Sequence, residues 1–301
     1  VSTDTFSAFN QPTLYWILNT FFFAGLGEQP SMISALKTDM IRSFMHKKFW
    51  LNDPDCLLVR QIRSSLHPHE IEFEVTFMGL CGGILLSSDN LPELRPQDLE
   101  YIKFLLPPYE EPAMPIDLFE NSPPMYFKLE IAPKKFFEPY HLIGLFNWTK
   151  KKRTVPISVE KLQLGQDGSY HIFDYWTKKY FQMDADHPEI GYLQKNTAKL
   201  LVIRPDTGMP QLIASSFHIT QGAVEVTNFK FNSDSNEILI ELTKPGPNQG
   251  KLYFSLPPPF HEKQLITDAT ESSMFRHQNG LLTIEIQFEE QTHITIKLEK
   301  A

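Results

Sequence analysis

Residues Trp50 to Arg60 read WLNDPDCLLVR, with two carboxylates, Asp53 and Asp55, bracketing Pro54 just ahead of the apolar run Cys56-Leu57-Leu58-Val59. A short, continuously apolar run closed by a charged residue is the pattern of a strand buried on both faces. Carboxylates beside such a run must be solvated or hydrogen-bonded, because burying them unpaired is expensive. Pro54 pushes Asp53 towards extended geometry and removes one backbone donor. The block therefore predicts a short buried strand, opened by polar residues that are either solvated or have a hydrogen-bonding task.

The neighbours supply the helices that such a strand needs. Upstream, Pro30 suits a first helical turn and Ser31 can help to cap it. Ile33, Leu36, Met40, Ile41, Phe44 and Met45 then recur at helical spacing, which predicts a helix ending near Phe49. Downstream, a second helix is expected from about His69 to Leu80, followed by Gly82-Gly83 and the strand ILLSS. A third begins after Pro96, runs through Leu99, Ile102, Leu105 and Leu106, and is stopped by Pro107-Pro108. Helices alternating with short apolar strands indicate an α/β region with a parallel sheet. The two and a half units expected within 1–108 are too few to close a barrel.

From 109 to 124 the chain is rich in proline and acidic residues and reads as a linker. Beyond it, runs with period-two alternation succeed one another: YFKLEIA, HLIGLFNW, TVPISVE, SYHIFDYW, AKLLVIR, AVEVTNFKF, EILIELT, KLYFSL, LLTIEIQF and HITIKLE. Asp167-Gly168 and Asn279-Gly280 mark turns between such runs. This spacing predicts an antiparallel β-sandwich region, divided near 204–210 into modules over 125–206 and 207–301.

The chain has 301 residues, 42% hydrophobic and 21% charged, with a formal net charge of −8. That charge argues against a nucleic-acid partner, which needs a concentrated basic face. The basic run Lys150-Lys151-Lys152-Arg153 reads as a solvated loop. Cys56 and Cys81 sit in apolar surroundings and read as buried reduced thiols rather than a disulfide framework. No apolar run reaches the roughly 20 residues of a membrane span, and Asn19 and Thr20 interrupt the longest, Leu14 to Leu26. No signal peptide is visible, and the chain, lacking an initiator methionine, is read as starting inside a larger protein. The expected location is cytoplasmic. Asn147-Trp148-Thr149 matches a glycosylation sequon but ends a strand-like run, and reads as a chance match.

Three blocks resemble glycoside hydrolase family thirty-six, the melibiase-like α-galactosidases. WLNDPDCLLVR is similar to that family's seventh-strand motif, in which Asn-Asp-Pro-Asp opens an apolar strand. GGILLSSDNLPELRP resembles the final barrel strand and the start of the last helix. VSTDT at the N-terminus resembles the sixth-strand motif, in which an arginine precedes the acid/base aspartate by four residues. MPIDLFE, HLIGLFNW, YHIFDYW and SSFHITQGA are similar to the region beyond the barrel in such enzymes, so the resemblance covers nearly the whole chain. It implies the C-terminal part of a (β/α)8 barrel, strands six to eight, followed by antiparallel β-sandwich modules.

The resemblance implies that Asp4 is the general acid/base of a retaining α-galactosidase. Retention needs two carboxyl groups about 5 Å apart, one attacking the anomeric carbon while the other protonates the leaving oxygen. The family's nucleophilic aspartate, in a Lys-x-Asp setting on the fourth strand, has no counterpart here, and the arginine of the sixth-strand motif would precede Val1. The chain alone is therefore expected to be inactive, with the missing N-terminal half of the barrel as its partner. Asp53 and Asp55 either reach towards the pocket, if the strand starts earlier, or accept backbone or arginine hydrogen bonds behind it. Cys56 is expected to pack in the pocket wall. The implied substrate is an α-galactoside or related oligosaccharide; no cofactor or metal is expected. An unpartnered barrel seam would favour association, including a homo-oligomer. Two other readings stay open: a non-catalytic fragment or carbohydrate-binding accessory protein, and a relative that transfers galactose.

Other signals have blander accounts. Ser87-Ser88-Asp89-Asn90 closes a strand, and Asp89 or Asn90 is expected to cap the following helix. His67-Pro68-His69 has the proximity of metal ligands but no accompanying cluster. His218 and Gln221-Gly222 mark a turn. Phe146, Trp148, Phe173, Tyr175 and Trp176 are expected in the core rather than on a sugar platform.

Overall fold

The structure, a computed structural model, describes Leu36, Asp39, Met40 and residues 42–300, apart from Arg63, Ser65, Pro133, Gln166, Asp167 and 277–279. Two helices lie wholly among them, α1 (Pro68–Leu80) and α2 (Pro96–Phe104), and Leu36, Asp39 and Met40 are also helical. The strands are β1 (Cys56–Leu57), β2 (Leu86–Ser87), β3 (Met114–Pro115), β4 (Tyr126–Ile131), β5 (Tyr140–Phe146), β6 (Arg153–Ile157), β7 (Tyr170–Asp174), β8 (Tyr180–Met183) and β9 (Glu189–Leu193). They continue with β10 (Ala198–Pro205), β11 (Gln211–Ser215), β12 (Val226–Asn232), β13 (Glu237–Thr243), β14 (Asn248–Ser255), β15 (Phe260–Thr267), β16 (Glu271–Arg276), β17 (Leu282–Phe288) and β18 (Gln291–Lys300). The described chain is thus mostly antiparallel β-structure with few helices.

Two compact units share these elements, and the chain passes between them more than once. The first takes in Val1–Leu129, Ile143–Val155 and Gly191–Leu200; the second takes in Glu130–Leu142, Pro156–Ile190 and Leu201–Ala301.

In the first unit β1 and β2 lie parallel, with Cys56 opposite Leu86 and Leu57 opposite Ser87, and α1 connects them. This is one β-α-β unit; the described residues do not show a barrel. The α1 segment EIEFEVTF alternates polar and apolar residues with a strand-like period of two, yet it is helical. Pro68 occupies the first turn, His67 before it is extended, and Glu70 accepts the His67 backbone N–H at 3.0 Å. Phe73, Val75 and Phe77 are buried on successive sides of the helix, as befits a helix enclosed by the core. Phe73 meets Trp148 edge-on at 4.9 Å and Phe146 at 5.1 Å, and the Trp148 indole N–H donates to Pro124 O at 2.6 Å.

The turn after α1 requires its glycines. Gly82 has a φ of +68°, and a Cβ on Gly83 would lie 2.2 Å from Asn52 O. That carbonyl accepts the Ile84 N–H at 3.0 Å, so the turn docks directly on the approach to β1.

Three expectations from sequence are corrected by the structure. The first helix does not continue to Phe49: Leu36, Asp39 and Met40 are helical, but Ser43–Met45 is a 3-10 turn and Lys47 takes a φ of +60°. The His46 ring draws the chain away by accepting the Asn52 N–H at 3.0 Å. The apolar run CLLVR is strand only at Cys56–Leu57, because the carboxyl groups of Glu74 and Asp89 take the next two N–H groups. ILLSS is likewise strand only at Leu86–Ser87.

In the second unit β7 pairs with β10 and β8, and β11 to β18 form two four-stranded antiparallel sheets. Their orders are β11-β14-β17-β16 and β12-β13-β18-β15. Ile240 stands opposite Ile294 between β13 and β18, and Leu252 opposite Ile284 between β14 and β17. These side chains, with Ile238, Phe254, Ile286 and Ile296, form one buried core between the sheets, the arrangement of a β-sandwich. The segment around Ile219 is also buried. Tyr140 OH donates to Thr220 O at 2.6 Å, Arg204 Nη2 to Gln221 O at 2.9 Å, and the Lys134 and Lys244 ammonium groups to Ala223 O and Phe217 O. The turn expected at His218 to Gly222 is therefore present but fastened inside the unit.

Candidate functional site

Polar side chains gather around β1 in the first unit. The strand starts at Cys56, so Asp53 and Asp55 lie on the chain's approach to it, and the branch in which the strand begins earlier does not hold. Asp53 Oδ1 accepts the Asp55 N–H at 3.0 Å, and Asp55 Oδ1 accepts the Cys56 N–H at 2.8 Å. Asp55 takes a φ of +78°, a left-handed conformation that aspartate tolerates better than most residues. The Cys56 side chain is half-buried and contacts both Ser88 and Asp55. Burial raises its thiol pKa, against the opposing Ser88 hydrogen bond. A thiol so raised stays protonated at neutral pH and is a poor nucleophile.

Beyond β1 two carboxyl groups replace a neighbouring strand. Glu74 on α1 reaches back to accept the Leu58 N–H at 3.2 Å. Asp89 Oδ2 accepts the Val59 N–H at 2.7 Å while its Oδ1 pairs with Arg60 at 2.8 Å. Asp89 is thus a cross-link and not a helix cap. Asn90 holds the capping position of the 3-10 turn Leu91–Glu93 without a side-chain cap bond.

Two carboxyl groups are strongly perturbed. Burial, helped by Asp89 and Asp55, pushes Glu74 up to about 8, so Glu74 is predominantly protonated at neutral pH. Burial and the nearby Asp53 push Asp39 up to about 7, with Arg42 opposing. Asp39 also lines a cavity of about 10 Å³ with Ser43 and Cys81, room for about one water molecule. Such values suit proton transfer near neutrality. Both groups are nonetheless sealed in the core at 7% and 3% exposure, Asp39 and Glu74 respectively. The visible work of Glu74 is to hold the Leu58 N–H in place.

Sequence reasoning missed Asp39 and Glu74 as buried acids. Asp39 sits between apolar helical positions, and Glu74 is one of three glutamates at every second position of EIEFEVTF. The helix expected there turns Glu74 alone into the core, while Glu70 and Glu72 stay half-buried. Asp4 lies outside the described residues.

The other sequence signals find structural places. Asn147 is buried, and its amide donates to Lys151 O at 2.7 Å and Gln194 O at 2.7 Å, so the sequon is committed internally. Lys150 to Arg153 are exposed. The His67 and His69 rings stack at 5.5 Å, and no group of three or more metal-ligating side chains occurs among the described residues. Phe146, Trp148 and Phe173 are buried, while Tyr175 and Trp176 are half-exposed. No helix among the described residues is long and apolar enough to cross a membrane.

No family model matches the chain. Among solved structures, α-galactosidase I of Mortierella vinacea aligns at 12% identity over 59% of this chain and 45% of that one, with a TM-score of 0.46. The α-galactosidase of Saccharomyces cerevisiae aligns at 11% identity over 60% and 52%, with a TM-score of 0.46. A family twenty-seven β-L-arabinopyranosidase of Geobacillus stearothermophilus aligns at 12% over 59% and 42%, with a TM-score of 0.42. The chain thus spans about half or less of the length of each. These neighbours are glycosidases, and they do not single out family thirty-six.

Proposed function

We propose that the chain is part of a retaining glycosidase of the α-galactosidase type, in which Asp4 serves as general acid/base. One observation carries the reading: the Asn52-Asp53-Pro54-Asp55-Cys56 block opens a strand that runs parallel to the GGILLSS strand across a single helix, as consecutive barrel strands would. In a complete barrel β1 and β2 would be its seventh and eighth strands. Asp53, Asp55 and Cys56 would then stiffen the pocket wall through the backbone bonds they make. The nucleophilic carboxylate would come from the N-terminal half of the barrel, and Asp4 would protonate the leaving oxygen and then deprotonate water. An α-galactoside is the proposed substrate; assignment to family thirty-six in particular rests on the sequence motifs alone.

The stereochemistry of the first product tests this. The complete enzyme, given p-nitrophenyl α-galactoside and followed by proton NMR, should release α-galactose before mutarotation produces the β-anomer. Initial release of β-galactose, or no hydrolysis, would overturn the proposal.

A further inference from the structure

The second unit contains a cavity of about 460 Å³, within the roughly 300–1,000 Å³ typical of small-molecule sites. Its apolar walls include Phe136, Phe137, Phe229 and Phe231. Phe229 and Phe231 are two apart on β12 and share a face; both are half-exposed, as is Phe136. The Phe137 and Phe229 rings lie 5.5 Å apart.

Charge in this cavity runs against that of the chain. Lys134, Lys135 and Arg204 line it with a single carboxylate, Glu138, giving 3 − 1 = +2 in a protein of net charge −8. Arg204 is 4% exposed, and its guanidinium stacks 3.7 Å from the Tyr140 ring centroid and 4.7 Å from that of Phe137. Nε donates to Ile213 O at 3.0 Å and Nη2 to Gln221 O at 2.9 Å. Two carbonyls thus use two of five N–H groups, the Tyr140 side chain is a further hydrogen-bond partner, and no salt bridge to a described carboxylate forms. Glu225 lies within electrostatic reach of Arg204 and Lys134, but neither of its oxygens accepts a hydrogen bond from a described residue. Including it still leaves the site positive. Burial lowers the Arg204 pKa, a penalty that a bound anion would offset.

We propose that this cavity binds a small oxyanion carried on a flat apolar body, such as an aryl carboxylate or an aryl phosphate. The phenylalanine faces take the flat body, and Arg204, fixed by its two carbonyls, with Lys135 at the mouth attracts the oxyanion. A neutral body of the same shape gains only the apolar part of this interaction.

The test titrates naphthalene-1-carboxylate, 1-naphthyl phosphate and the neutral naphthalene-1-carboxamide into the full chain by calorimetry. At least one anion should bind about tenfold or more tightly than the carboxamide, and the tighter of the two identifies the headgroup. Lys135→Glu, at an exposed position, should weaken that binding about tenfold, whereas Lys48→Glu, which reverses the same charge in the other unit, should leave it unchanged. Equal binding of anions and carboxamide, the same loss in both variants, no loss in Lys135→Glu, or no binding of either anion would overturn the proposal.

Discussion

The β1–α1–β2 region and the β11–β18 sandwich meet the same requirement, satisfied backbone groups in a dry interior, by different means. In the sandwich, long strands satisfy one another and alternation delivers Ile, Leu and Phe to a single core. In β1–α1–β2 the strands are two residues long, and the next two N–H groups are taken by Glu74 and Asp89. The first design spreads its stability over many interchangeable apolar contacts. The second concentrates it in a few carboxyl groups that must stay in position, and it makes stability depend on pH.

The largest expected effect lies in the sandwich. Ile296 is fully buried within the core, and Ile296→Ala should cost about 3–4 kcal/mol in urea unfolding, through lost burial and a residual cavity. A loss under about 1 kcal/mol would mean that the two sheets do not enclose a common core.

In the first unit, Asp89→Ala should cost about 2 kcal/mol, because it leaves the Val59 N–H unpaired. The Arg60 side chain is 39% exposed and can return to water, which holds the loss below that of a fully buried ion pair. An unchanged unfolding midpoint would remove the contrast between the regions.

A third effect separates the two regions by pH rather than at a single condition. Folding raises the Glu74 carboxyl from 4.5 to about 8 and the Asp39 carboxyl from 3.8 to about 7. Between the unfolded and folded values, the folded chain holds protons that the unfolded chain has released. Their contribution is therefore complete below about pH 4 and is lost as pH rises through 7 to 8. Glu74→Gln, neutral throughout, should flatten this decline by roughly 1 kcal/mol per pH unit over that range. Parallel stability curves for the wild type and the variant would contradict the protonated assignment.

Legibility in the sequence divides along the same line. EILIELT, KLYFSL, LLTIEIQF and HITIKLE correspond to β13, β14, β17 and β18, the inner strands of the two sheets, where burial on one face imposes period two. Strands β11, β15 and β16, all sheet edges, escaped notice, although the edge strand β12 did not. Edge strands have less need of alternation; ESSMFR has no fully buried residue. Near β1 the sequence marked the carboxylates Asp53 and Asp55 but not Glu74 or Asp39. A carboxyl group that serves a backbone N–H from another element leaves no periodic trace. The same reason explains why CLLVR looked like a longer strand than it is.

The proposed role of Asp4 is tested most directly in the complete enzyme. Asp4→Ala should abolish hydrolysis of α-galactosides with alcohol leaving groups while sparing much of the first step with an activated aryl leaving group, and added azide should restore turnover as the α-galactosyl azide. Undiminished hydrolysis of the alcohol-leaving substrates by this variant would contradict the account.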